Sequence, residues 1–325
     1  MPYCHLGPAQ RYEIQTMHKL GYTQRRIARE LGVNKSTVSR ELRRNREKGK
    51  AYCAETAGLL ALARRARKPV KITPEVETFL FLLMHSKISP AAAAGRIRLE
   101  LGVSISPEAV YLHIRRDSRL HRWLLRAGKK RRSRLKAAGL SHIKDRTPIS
   151  ERPPEANGRQ RIGDWEADTV VSKDHLGGAA TAVCRHSRFL VARLVPDLTA
   201  ATVCGALRDA LGQAAADGKC LTVTTDNGKE FAGHKEAAAA LGADWFFCAP
   251  YASYQRGTNE NLNGVLRRYY PKKTDLRLVD PAEFERVVAQ INHMPRKCLG
   301  YRTPYEVFYG LEIEPLIPKL VALRA

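Results

Sequence analysis

The chain has 325 residues, of which 44% are hydrophobic and 27% charged, and its formal net charge is +24. That length is long for one domain, and the apolar content is too high for general disorder. Its seven cysteines are scattered without a CxxC pair, which argues against a zinc site or a disulfide framework and suits a reducing compartment.

The charge is uneven. Residues 1–150 carry 33 Lys and Arg against 11 Asp and Glu, whereas the rest carry 23 against 21. A block of +22 attracts polyphosphate, because each cation that meets a phosphate releases a condensed counterion. The N-terminal Met-Pro-Tyr-Cys-His has no apolar signal core, and the longest apolar run, around Phe79 to Met84, is sized for a helix core. A cytoplasmic, nucleoid-associated chain with no membrane partner is expected.

In chain order, the first elements are helices. Ile14, Met17 and Leu20, then Ile27, Ala28 and Leu31, then Val38 and Leu42 fall at helical spacing. Thr23 is placed to cap the second helix, Gly32 gives the turn its backbone freedom, and Ser36 is a candidate cap for the third. The result reads as a helix-turn-helix over residues 1–60. In that motif the second helix enters the major groove by its N-terminal end, so Lys35, Ser36, Thr37 and Arg40 are candidates for reading bases. Arg43 and Arg44 would lie near the phosphate backbone.

Residues 61–126 hold a second helical pair. Ser89-Pro90 and Ser106-Pro107 open its helices around a turn at Gly102 to Ile105. A second helix-turn-helix and a purely structural pair both fit this pattern. Residues 127–158 read as a linker, with the polybasic Lys129, Lys130, Arg131 and Arg132 clamping phosphate without sequence choice, then Pro148, Pro153 and Pro154.

From residue 159 to 325 strands and helices alternate. Strands are expected at Ile162–Val171, Ala179–Cys184 and Phe189–Val195, a helix from Thr199 to about Ala216, and a strand at Leu221–Thr225. A helix at His234–Leu241 and a strand at Asp244–Cys248 follow. Three antiparallel strands and then helix, strand, helix, strand is the order of a ribonuclease-H-like domain. The fold class is thus multidomain: an all-α helix-turn-helix region followed by an α/β ribonuclease-H-like domain with a mixed five-stranded sheet flanked by helices.

Carboxylates punctuate this half. Asp164, Glu166 and Asp168 share one face of the first strand because side chains alternate. Asp226 ends the fourth strand, in an Asp-Asn-Gly turn. Glu260 lies on a helix expected from about Thr258 to Tyr269, in a row with Asn263, Gly264 and Arg267 opposite the apolar stripe of Leu262, Val265, Leu266 and Tyr269. That arrangement turns Glu260 and Arg267 toward a cleft.

Three segments carry a resemblance: Gly163-Asp164-Trp165-Glu166-Ala167-Asp168, Thr225-Asp226-Asn227-Gly228-Lys229-Glu230-Phe231, and Arg256-Gly257-Thr258-Asn259-Glu260-Asn261-Leu262-Asn263-Gly264. They resemble the three signatures of bacterial DDE transposases of the insertion sequence thirty family. The 33 residues between Asp226 and Glu260, the basic Arg267 seven after the glutamate, and the Tyr301-Arg302-Thr303-Pro304 segment are similar as well. Asp164 stands where many relatives carry His.

The resemblance implies that Asp168, Asp226 and Glu260 are both the catalytic residues and the ligands of two Mg²⁺ or Mn²⁺ ions. Asp168 would bridge the ions, and Glu166 would be a supporting or structural residue. Asn227, Lys229, Asn259, Asn263 and Arg267 are candidates for positioning phosphates. The implied activity is cleavage at the terminal inverted repeats of an insertion sequence and transfer of the strand to target DNA, by a homodimer or higher multimer assembled on DNA. A nuclease that only hydrolyses and a DNA-binding regulator without catalysis are the alternatives.

Overall fold

The computed structural model describes residues 5–66, 71–121, 123, 143, 145–249 and 252–323. The chain divides into two compact units, Met1–Val70 and Lys71–Ala325.

The first unit holds α1 (Pro8–Lys19), α2 (Gln24–Glu30), α3 (Lys35–Arg44) and α4 (Ala54–Ala66). Thr23 caps α2 by accepting from the Arg26 amide. The cap of α3 is Asn34 rather than Ser36: the Asn34 Oδ1 accepts the Ser36 amide at 2.9 Å, which leaves Ser36 in the first helical turn. Ile14, Ile27 and Val38 are wholly buried at the centre. Arg11 on α1 and Glu41 on α3 form a buried pair at 2.7 Å, and Glu41 also accepts from Asn45 and the Tyr52 hydroxyl. Removing either partner would strand a buried charge, so this pair fixes α3 against α1.

The second unit opens with α5 (Pro74–His85), α6 (Pro90–Leu101), α7 (Pro107–Arg116) and α8 (Ser118–His121). Ser89 and Ser106 cap α6 and α7. Residues 71–121 do not close a core of their own. Leu83, Ile97, Val110 and Ile114 join one continuous apolar cluster with Val183 and Leu190 of the sheet. Arg96 on α6 is fully buried and donates to Glu306 at 2.7 and 3.0 Å and to Glu100. At Gly95 a Cβ would stand 2.2 Å from the Tyr301 ring, so glycine is required for this close approach.

Among the described residues the sheet has six strands: β1 (Thr147–Pro148), β2 (Asp164–Val171), β3 (Gly178–Cys184), β4 (Leu190–Val195), β5 (Thr222–Thr225) and β6 (Asp244–Phe247). Their order is β1-β6-β5-β2-β3-β4. β2–β3 and β3–β4 are antiparallel, and the other pairs are parallel. The expected five strands gain a sixth, β1, from the stretch read as linker. Proline tolerates that edge position because it needs no N–H there. The same stretch also holds α9 (Pro154–Gly158). The polybasic Lys129, Lys130, Arg131 and Arg132 lie outside the described residues.

α10 (Ala200–Ala216) and α11 (His234–Leu241) cover the face that carries Trp165, Ala167 and Val223. α12 (Gly257–Leu266) and α13 (Pro281–Asn292) cover the other face, together with α15 (Leu316–Ala322). α14 (Pro304–Phe308) sends Phe308 into the first of these layers. Phe308, Leu316 and Leu320 of the C-terminal segment are thus committed to the two cores, whereas Tyr309, Ile313 and Val321 are exposed. Among the described residues no helix is long and apolar enough to cross a membrane.

Candidate active site

Alternation along β2 puts Asp164, Glu166 and Asp168 on the face beneath α12, while Trp165 and Ala167 go to the core under α10. The three acids have separate fates. Asp164 is wholly buried; it accepts from Arg161 at 3.1 and 3.3 Å and from the Thr222 hydroxyl at 2.9 Å, and so ties β2 to β5. Glu166 is also wholly buried and pairs with Arg185. Its other oxygen accepts the Asn259 backbone amide at 3.0 Å, while the Asn259 side chain donates to the Glu166 carbonyl at 3.0 Å. The start of α12 is thereby pinned to β2, a position where an anion meets the positive end of the helix.

Asp168 is the acid of β2 that reaches the open cleft. Its Oδ1 accepts the Thr169 amide at 2.9 Å and its Oδ2 accepts from Asn263 at 2.9 Å. Burial raises its pKa and the nearby Asp226 raises it further, whereas Arg256 works in the opposite direction. Asp226 follows β5, and its Oδ1 accepts the Gly228 amide at 2.9 Å to fix the turn.

One guanidinium joins the two aspartates. Arg256 stands 3.2 Å from the Asp168 Oδ1 and 2.7 Å from the Asp226 Oδ2, and it donates to the Ala167 carbonyl at 3.1 Å. Burial alone would lower the Arg256 pKa, but the two carboxylates hold it above the ordinary value. Two carboxylates that jointly hold one cation form a donor set suited to a hard metal ion. Asp168 and Asp226 fit that group on this ground.

Glu260 sits in the first turn of α12 and is exposed. Among the described residues no group of three or more His, Cys, Asp or Glu has metal-holding geometry. The structure thus brings Asp168 and Asp226 together and fixes the helix that bears Glu260, without gathering Glu260 into one set with them.

The other sequence-derived candidates fall into distinct places. Lys229 is exposed, three residues after Asp226. Asn227 is committed to the loop: its amide donates to the Cys248 carbonyl at 2.8 Å and its oxygen accepts from Arg146. Asn259 is wholly buried on Glu166, out of reach of a phosphate. Asn263 orients Asp168. Arg267 was expected on the helix and turned to the cleft, but α12 stops at Leu266; Arg267 is its half-buried C-cap and donates to the Val171 carbonyl at 2.6 Å. Burial lowers its pKa. In the first unit Lys35, Ser36, Arg40, Arg43 and Arg44 are exposed on α3 and Thr37 is half-buried, opposite the buried Val38, Glu41 and Leu42.

Sequence reasoning gave Arg256 no role. The available signal was its position four residues before Glu260, but its placement between two aspartates from separate strands is a product of the fold.

The chain is similar to known proteins along most of its length. A helix-turn-helix domain model matches residues 3–45, and an integrase core domain model matches residues 158–253. The transposase for insertion sequence element IS4351 of Bacteroides fragilis is 36% identical, with 94% of this chain and 95% of that protein covered. The transposase for IS1086 of Cupriavidus metallidurans is 33% identical, covering 96% of each. Transposase InsI for IS30C of Escherichia coli K12 is 33% identical over 93% of this chain and 83% of its own length. The chain belongs to the IS30 family of transposases. This transposase pairs a DNA-binding helix-turn-helix with a polynucleotidyl transferase core of ribonuclease-H-like fold, and it acts in DNA transposition. The solved catalytic core domain of BIV integrase aligns with a TM-score of 0.35 at 22% identity, over 45% of this chain and 93% of that one.

Proposed function

We propose that this transposase binds the terminal inverted repeats of its element through α3 and performs DDE chemistry with Asp168, Asp226 and Glu260. The observation that carries the reading is the cation shared by Asp168, midway along β2, and Asp226, just past the end of β5, beside a helix docked so that Glu260 lies in its first turn. Divalent Mg²⁺ or Mn²⁺, two ions per site, would be held by these three acids and would supply Lewis-acid activation of water or a 3′-hydroxyl and charge stabilisation at the leaving 3′-oxygen. The chain's own residues do the positioning. Asn263 and the Thr169 amide hold Asp168 in one rotamer, and the Gly228 amide does so for Asp226. Preorganised ligands need no rearrangement during reaction. Lys229 stands where it can meet a phosphate. The same groups serve hydrolysis at the element end and subsequent attack by the freed 3′-hydroxyl on target DNA, with no covalent enzyme intermediate.

The test is substitution that keeps shape and removes charge. Asp168→Asn, Asp226→Asn and Glu260→Gln are each expected to lower cleavage and strand transfer at least a thousandfold, about 4 kcal/mol of barrier, with folding and end binding retained. Near-normal turnover in Mg²⁺ by any one of them removes that residue from the site. A strand-transfer assay on pre-cleaved ends separates a transposase from an enzyme that only hydrolyses.

A further inference from the structure

Beside the Asp226 turn the second unit carries a half-open cavity of about 740 Å³. Among the described residues four arginines line it, Arg146, Arg152, Arg159 and Arg185, and no Asp or Glu does. Of the four, Arg185 is neutralised, by Glu166. Arg152 is buried and spends its donors on neutral oxygens, Thr224 at 3.1 Å and Asn157 at 2.6 and 2.9 Å. Burial and the neighbouring Arg185 push its pKa down to about 10, the mark of a guanidinium short of counter-charge. Burial beside Arg188 and Arg185 also lowers Arg159. The half-buried Ile149 and the exposed Ala249 add an apolar wall to the lining, while Phe247 and Cys248 meet it from the buried core. Asn227 is part of the lining and directly follows Asp226, so the cavity opens onto the catalytic turn.

A concave site that combines arginines short of counter-charge with exposed apolar lining matches a nucleotide, with phosphate on the arginines and base against Ile149 and Ala249. Its volume is in the range of ligand pockets. The geometry points to a pocket for one unstacked nucleotide of the reacting DNA strand, next to the site of Asp168 and Asp226 where the scissile phosphate would react. The inference rests on the transposase reading of that site. Taking a base out of the stack costs a few kcal/mol, which phosphate contacts and the apolar wall offset. Such a pocket would hold the strand in one register relative to the aspartates.

The test uses the full-length protein without divalent ion, on duplexes carrying 2-aminopurine singly at each position flanking the cut. One set carries the probe in the element end, the other in target DNA. Readings are taken at protein concentrations where a gel shift shows the DNA fully bound. A fluorescence rise of about threefold or more at one position is expected, abolished in Arg146→Ala/Arg159→Ala. Both residues lie at the surface, so the double variant leaves the buried Arg152 and Arg185 in place, and its circular dichroism and end-DNA gel shift check that the loop Arg146 contacts through Asn227 is retained. A rise confined to the element end assigns the pocket to the flanking strand, and one confined to target DNA assigns it to the target strand. No rise on either DNA, from protein that shifts end DNA and cuts it in Mg²⁺, overturns the pocket. So does a rise that persists unchanged in the double variant. Protein that neither shifts nor cuts end DNA overturns the transposase reading along with it.

Discussion

Arg256 places a single guanidinium where two carboxylates converge, and a divalent cation seeking the same oxygens must compete with it. Calorimetric titration of Mn²⁺ into the DNA-free protein should therefore show tighter binding in Arg256→Gln than in wild type, by about tenfold, or 1.4 kcal/mol. Weaker binding in the variant would mean that Arg256 helps to build the site rather than occupying it. At this scale the sequence was informative where chemistry is local. Alternation on β2 showed that Asp164, Glu166 and Asp168 share a face, and the Asp-Asn-Gly turn showed where Asp226 sits. It did not show that Asp164 is consumed by Arg161 and Thr222, or that Glu166 holds Asn259, because those partners come from other elements. Asn227 and Asn259 looked like phosphate ligands by their place in the motifs. The fold instead uses both amides to fasten loops and helix to the strands.

Elements were legible where side-chain periodicity and caps agree. The three helices α1 to α3, the helix His234–Leu241 and the strands β2 to β6 lie within a few residues of their expected bounds. The two-residue β1 was not, since nothing in Thr147–Pro148 distinguishes it from a linker until β6 is beside it. The pair α6 and α7 carries the caps and turn of a DNA reader, but α6 is locked by Arg96 to Glu306 at the start of α14. Burial alone would raise the Glu306 carboxyl, yet hydrogen bonds from Arg96 and the Thr303 amide hold it below its ordinary value. A depressed carboxylate pKa stabilises the fold above the unfolded-state value, and that stabilisation is lost as pH falls through the folded-state value. Glu306→Gln should therefore lower stability at neutral pH by up to about 3–5 kcal/mol, the cost of breaking a buried pair, with Glu100 retaining part of the compensation for Arg96. Denaturant titrations across the acid range should show the gap between variant and wild type closing as pH falls. A gap that stays constant would assign the loss to packing rather than to charge.

At the scale of the whole molecule, the charge imbalance sets the terms of assembly. Transposition joins two element ends to one target, so two active sites must be brought together on DNA. The exposed residues of α3 supply one phosphate-seeking surface, and residues 1–150 carry most of the chain's excess of cations. In the C-terminal stretch Phe308, Leu316 and Leu320 are buried in the cores, while Tyr309, Ile313 and Val321 are exposed. Self-repulsion within a +22 segment opposes association until phosphate neutralises it. We therefore expect the free protein to be monomeric at moderate salt and to form a stable dimer on end DNA, with the dimer weakening as salt rises because counterion release drives the binding. Light scattering at fixed protein concentration, with and without end DNA and over a salt series, measures this directly. A stable dimer without DNA would place the interface on surfaces that charge does not govern, and a complex of one protein with one end that still completes strand transfer would show that pairing is not required.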